Sequence, residues 1–127
     1  MGLIHTVVSL TNPTRPDLTG IEVRMLADTG ATLSLIPGSV ALQLELSLDQ
    51  YPRRPIELAD GSTRVVPYVA PIVFHFKNRI SVGPALVTGD DAVLGALQME
   101  DMDLVLLPQK RAIDVNPAHP NRPVARA

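Results

Sequence analysis

The sequence predicts an all-β fold of short antiparallel strands with one or two short helices, and three observations carry that expectation. Twelve prolines and eight glycines are spread through 127 residues, which leaves few windows long enough for a helix of about ten residues. The apolar residues fall in short runs rich in β-branched types, several of them alternating with polar ones. Between those runs lie turn residues, the Asp60-Gly61 dipeptide foremost, which marks a tight hairpin.

Taken in order, Leu3 to Leu10 is a β-branched run, and Asn12 to Gly20 carries strong turn chemistry. In Ile21 to Leu26, Ile21, Val23 and Met25 alternate with Glu22 and Arg24, so the two runs predict a hairpin with a long loop. Leu33 to Ile36 is a short apolar run. Pro37 follows, placed where a first helical turn tolerates it, ahead of a short helix over Ser39 to Leu44. Ile56 to Leu58 and Thr63 to Val69 flank the Asp60-Gly61 turn. Ile72, Phe74 and Phe76 alternate with Val73 and His75, and the polar Lys77-Asn78-Arg79 turns the chain into Ile80 to Val87. Gly89-Asp90-Asp91 opens a loop before Val93-Leu94-Gly95, and Ala96 to Asp101 has the composition of a second short helix. Leu104 to Leu107 and Ala112 to Val115 predict a last hairpin, after which Pro117, Pro120 and Pro123 predict a frayed or extended tail.

Composition bounds the function. With 46% hydrophobic and 19% charged residues, the chain has the makeup of one compact domain that buries roughly two-thirds of its unfolded surface and needs no disulfide or metal to fold. The absence of cysteine removes disulfide scaffolds, thiolate zinc sites and cysteine nucleophiles. Eleven Lys and Arg against thirteen Asp and Glu, a net charge of −2, give no basic footprint for nucleic acid and no polybasic membrane patch. Asn12, Pro13, Pro16 and Asp17 interrupt the first twenty residues, so neither a signal peptide nor a membrane span is read there and a cytoplasmic protein is expected. His5, His75 and His119 lack metal-ligand spacing. Glu100, Asp101 and Asp103 crowd a helix end where a cationic partner is expected, from Arg53-Arg54 or Lys110-Arg111.

The sharpest local feature is Met25-Leu26-Ala27-Asp28-Thr29-Gly30-Ala31-Thr32. A carboxylate directly after an apolar strand needs hydrogen-bond partners or a proton. Gly30 lets backbone N–H groups approach it, and the Thr29 hydroxyl offers a donor and an acceptor. Asp, Thr and Gly are also ordinary turn residues, so the motif alone decides nothing. Its context is a second apolar-apolar-Gly element, Val93-Leu94-Gly95, leading into a short helix, with the Asp60-Gly61 hairpin between the two.

This order of elements resembles the retropepsin-like aspartic proteases over residues 3–115, nearly the whole chain. Within that family it looks closest to the small stand-alone bacterial members, which similarly begin near Met-Gly-Leu, run Glu-Leu-Ala-Asp-Gly through the flap (Glu57 to Gly61) and end near Met-Glu-Asp-Met-Asp and Asn-Pro (Met99 to Asp103, Asn116-Pro117). The resemblance implies a closed barrel in a homodimer, a domain over residues 1–115 and a proline-rich tail over 116–127. It makes Asp28 the catalytic carboxylate, gives Thr29 an interlocking hydroxyl contact between two loops, and gives Gly30 a backbone N–H at the carboxylates. Ala59, Asp60, Gly61 and Ser62 become the tip of a substrate flap; Val93, Leu94 and Gly95 cross behind the active-site loop, with Gly95 packed close. Retroviral members carry an acid and an arginine where Thr32 and Ala96 stand here; losing both together strands no buried charge.

The function implied is an aspartic endopeptidase acting on peptides or proteins, with no cofactor, no metal, no nucleic acid and no membrane. One Asp cannot both activate water and protonate a leaving amine. Two carboxyls about 3 Å apart share a proton and divide those roles. Since the sequence holds one such motif, the second Asp28 comes from a second copy of the chain. A catalytically silent, dimeric peptide-binding module of the same fold is the alternative. A phosphoryl-accepting aspartate loop, with Asp90 and Asp91 as magnesium ligands, would need a second acid at Gly30 and a parallel sheet with crossover helices. No helix-period window occurs between Ile56 and Val87 to supply one.

Overall fold

A computed structural model describes residues 3–126; Met1, Gly2 and Ala127, which belong to the expected domain and tail, lie outside the described residues. Period-two alternation builds the barrel. In β1 (His5–Thr11) Val8 and Leu10 turn inward, and in β2 (Ile21–Ala27) Val23 and Met25 do the same. The two strands form the expected antiparallel hairpin, in the register Val8 opposite Val23. After them come β3 (Ser34–Ile36), α1 (Gly38–Gln43), β4 (Arg53–Glu57), β5 (Thr63–Phe76), β6 (Arg79–Val87), β7 (Ala92–Leu94), α2 (Ala96–Asp101), β8 (Leu104–Leu107) and β9 (Ala112–Val115).

Six strands close in the order β1-β2-β7-β3-β6-β5, and β5 returns to β1 through the pair Leu10 and Phe74. Closure removes the open edges of the sheet. Val8, Leu10, Met25, Ile36, Val69, Ile72, Phe74, Ala85 and Leu94 are all fully buried. β4 lies outside the closed ring, paired only with the first part of β5, and so forms a projecting arm. β8 and β9 make a separate two-stranded sheet, with Leu104, Leu106, Ile113 and Val115 packed on the core.

Four details differ from the expectation. β2–β7 and β3–β6 are parallel pairs: each joins strands far apart in sequence, where no hairpin dictates direction. Thr63–Val69 and Ile72–Phe76 are one bent 14-residue strand, whose register shifts between Val69 and Ile72 around the cis Ala70–Pro71 bond. Proline lacks the N–H a ladder needs, and a shift in pairing is where a strand tolerates it. Pro37 is the N-cap of α1, extended at φ −70° and ψ 160°, and not a residue of its first turn.

The fourth difference is the tail, which turns back through residues 117–122 and is tied down. Asp103 accepts hydrogen bonds from the Asn116 side chain at 3.2 Å and the Val124 N–H at 3.0 Å, and meets His119 Nδ1 at 2.6 Å. Asn78 donates to the Pro120 carbonyl at 2.9 Å, and the fully buried Arg79 donates to that of His119. The partner of Asp103 is therefore His119, while Asp101 accepts from Ser81 Oγ at 2.7 Å. Neither Arg53-Arg54 nor Lys110-Arg111 supplies the expected cation.

Candidate active site

β2 delivers Asp28 to the end of the barrel and the backbone there is fixed on both sides. Ala27 pairs with Leu94, and the Asp28 N–H donates to the Leu94 carbonyl at 3.0 Å. The Gly30 N–H donates to Asp28 Oδ1 at 2.9 Å, and the Ala31 N–H to the Asp28 carbonyl at 3.2 Å. A Cβ on Gly30 would stand 3.1 Å from that same carboxylate oxygen. The loop thus holds its acid in place from below while Asp28, Thr29 and Gly30 all remain exposed. A charged group at such a place keeps its solvation, so its burial cost is met only when something covers it.

Behind the loop the packing is tight. A Cβ on Gly95 would fall 2.6 Å from the Leu33 carbonyl carbon and 2.9 Å from the Ala31 oxygen, both backbone atoms. The Ala96 N–H donates to Ala31 O at 2.7 Å and the Leu97 N–H to Thr32 O at 3.0 Å, so the loop satisfies the first free donors of α2. Val93 lies between Leu26 and Leu35, and Leu94 is fully buried.

A buried polar network, not foreseen from the sequence, locks this crossing. Ser34 Oγ accepts from the Gly95 N–H at 2.9 Å and donates to Gln98 Oε1 at 2.6 Å; Gln98 Nε2 reaches the Pro84 carbonyl at 3.4 Å. Ser34 and Gln98 are both 0% exposed. The one signal available was a serine set among Leu33, Leu35 and Ile36, which reads equally well as alternation.

The arm formed by β4 and β5 ends in a turn of Leu58 to Ser62. Gly61 has φ +85°, a conformation glycine adopts without strain. Asp60 Oδ1 accepts from both the backbone N–H, at 2.9 Å, and the hydroxyl of Ser62. The Ser62 hydroxyl, more than any other group, holds the Asp60 carboxyl below its ordinary range. Asp60 therefore locks the turn, and the tip from Ala59 to Ser62 is exposed and internally bonded. The structure brings Asp28, Thr29 and Gly30 together with Val93, Leu94 and Gly95, and sets the tip on a separate arm. A groove of about 920 Å³ lies elsewhere, between Ser81–Pro84, α2 and the tail; its lining includes neither Asp28 nor the arm.

A six-stranded closed barrel with two short helices, an Asp-Thr-Gly loop at its end and a glycine crossing behind that loop defines the retropepsin-like class of fold. A family model described as aspartyl protease matches residues 15–116, and the chain belongs to that retropepsin-like aspartyl protease family. No match was found among curated proteins. Membership supports a protease-type function in general.

Proposed function

We propose that the protein is a homodimeric, cytoplasmic aspartic endopeptidase in which one Asp28 from each copy flanks the catalytic water. The observation that carries this reading is the Asp28 loop itself: its backbone is held by Leu94 and Ala31 and its carboxylate accepts from the Gly30 N–H, yet that carboxylate is exposed and the motif occurs once in the sequence. A two-fold axis beside the loop would place the same surface on both copies. The Thr29 hydroxyl is exposed in the single chain and free to bond across that axis.

Two carboxyls so placed share one proton and titrate as a unit. The ionised Asp28 takes a proton from water as the water oxygen bonds to the scissile carbonyl carbon. The protonated Asp28 supports the developing oxyanion. Proton transfer to the amide nitrogen then lets the C–N bond break with its electron pair on the amine, giving a carboxylic acid and an amine. The β4–β5 arm serves as the flap over the peptide.

The experiment is cleavage of a diverse peptide library between pH 3 and 8, with and without a transition-state analogue of aspartic proteases. Inhibitable cleavage that is lost in Asp28→Asn, with the dimer intact by sedimentation, is the expected result. Cleavage retained by the purified variant refutes the assignment. Peptide binding by the wild type without any cleavage would assign the chain to the silent binding module instead.

A further inference from the structure

The two faces of the β4–β5 arm differ in chemistry. The pairs Ile56–Arg64 and Arg54–Val66 lie on one face, and Glu57–Thr63, Pro55–Val65 and Arg53–Pro67 on the other. At the foot of the arm Pro67 of the second face is buried, while from Ile56 and Arg64 to Val66 the first face is turned toward the barrel. Val66 is 3% exposed on it, against 57% for Val65 across the strand; Ile56 is half-buried; and Arg64 Nη1 donates to Thr88 Oγ1 at 3.2 Å. The Thr88 N–H donates in turn to the Ile36 carbonyl of β3, the strand that follows the Asp28 loop. The barrel-facing side of the arm and the Asp28 loop are thus anchored to one strand.

Two guanidiniums stand on that side, neither within ion-pair distance of a carboxylate among the described residues. The ion pairs among the described residues are Arg15 with Asp17 and Glu45, Lys77 with Asp114, and His119 with Asp103; none involves Arg54 or Arg64. Arg54 lies 4.1 Å above the Tyr68 ring, which fixes its plane and lowers the entropy lost when it binds. Of the nearby acids, Asp60 bonds to Ser62 and feels the charge of Arg64 only at longer range, and Glu57 is on the opposite face. Asp90 and Asp91, on the loop after Thr88, are exposed. An exposed planar guanidinium with its plane fixed is a fork for a carboxylate.

We propose that this protein selects acidic peptides, with Arg54 and Arg64 on the barrel-facing side of the flap receiving Asp or Glu side chains that flank the scissile bond. The proposal rests on the protease reading, so its test separates recognition from cleavage. Binding is measured with the full-length Asp28→Asn protein and two fluorescent peptides, Ala-Glu-Glu-Phe-Leu-Glu-Glu-Ala and its counterpart with Gln at all four Glu positions. The Glu peptide is expected to bind about tenfold more tightly at low salt, the size of a charge-assisted hydrogen bond, and less so as ionic strength rises. Adding Arg54→Gln and Arg64→Gln together should reduce the preference below about twofold, whereas Arg53→Gln, on the outer face, should keep it.

Equal affinities for the two peptides, immeasurably weak binding of both, or a preference that survives the double substitution overturns the proposal. So does a preference that emerges only after Asp90→Asn and Asp91→Asn, because the arginines then belong to that loop. Wild-type cleavage of the Gln peptide as fast as the Glu peptide would leave the protease standing without this selectivity. Selective binding without cleavage of either peptide would do the reverse.

Discussion

At the scale of single residues, the site depends less on Asp28 than on what holds it. Gly95 has backbone within 2.6 Å of where a Cβ would stand, and backbone cannot swing aside as a side chain can. Gly95→Ala is therefore expected to destabilise the fold by about 1–3 kcal/mol, the usual cost of overpacking, and to be seen as a lower urea midpoint with unchanged slope. Ser34→Ala probes the same crossing by a different mechanism. It leaves the buried Gly95 N–H without its acceptor and Gln98 Oε1 without its donor, a loss of about 1–3 kcal/mol. An unchanged midpoint for Ser34→Ala would mean that Gln98 reaches Gly95 by itself. Asp28 could be singled out from the sequence because a carboxylate, a hydroxyl and a glycine directly after an apolar run are each costly or special there. Ser34 and Gln98 could not, because their value lies in meeting across 64 residues, and neither is unusual where it stands.

Elements show the same division between local and remote determinants. The hairpins β1–β2, β4–β5, β5–β6 and β8–β9 were legible because a turn between consecutive strands fixes both direction and register. The parallel pairs β2–β7 and β3–β6 were not, since nothing local records the direction in which distant strands meet. Within β5, Thr63–Val69 and Ile72–Phe76 read as separate runs, whereas pairing on both sides of Pro71 makes them one bent strand. The tip of the β4–β5 arm, the flap of the proposed protease, makes the most direct test at this scale. Gly61 sits at φ +85° with open space around it, so Gly61→Val meets no neighbour and is opposed by backbone strain alone, about 1–2 kcal/mol for an L-residue in the left-handed region. The turn held by Asp60 and Ser62 would be disfavoured, and turnover is expected to fall several-fold, with thermal stability lowered by no more than that strain. Unchanged kcat and KM would show that the arm is not a lid.

For the molecule as a whole, two joins matter: tail to barrel and, in the proposed dimer, copy to copy. The tail converges on Asp103, whose carboxyl is held below its ordinary range first by the Val124 N–H and then by Asn116 and His119. A depressed folded pKa means that this stabilisation is complete above the unfolded value of about 4 and is lost as pH falls through the lower folded value. With the neighbouring imidazole removed by His119→Asn, the Val124 amide resonance should accordingly move toward its unstructured position only below about pH 4; movement centred above about pH 5 in that variant would exclude Asp103 as the anchor. In the proposed dimer the copy-to-copy join governs activity. If each cleft is completed by a second Asp28, the monomer has no activity of its own, and the rate per chain must follow the dimer fraction. On serial dilution at fixed peptide concentration, specific activity should stay flat above the dimer dissociation constant and fall in proportion to total protein well below it, because the dimer fraction is then linear in concentration. Mixing wild type with an excess of Asp28→Asn should suppress activity further, as every mixed dimer carries one carboxylate and an amide that cannot share its proton. A specific activity that is independent of dilution across the dimer–monomer transition measured by sedimentation, or resistance to the inactive partner, would place the whole of catalysis within one chain.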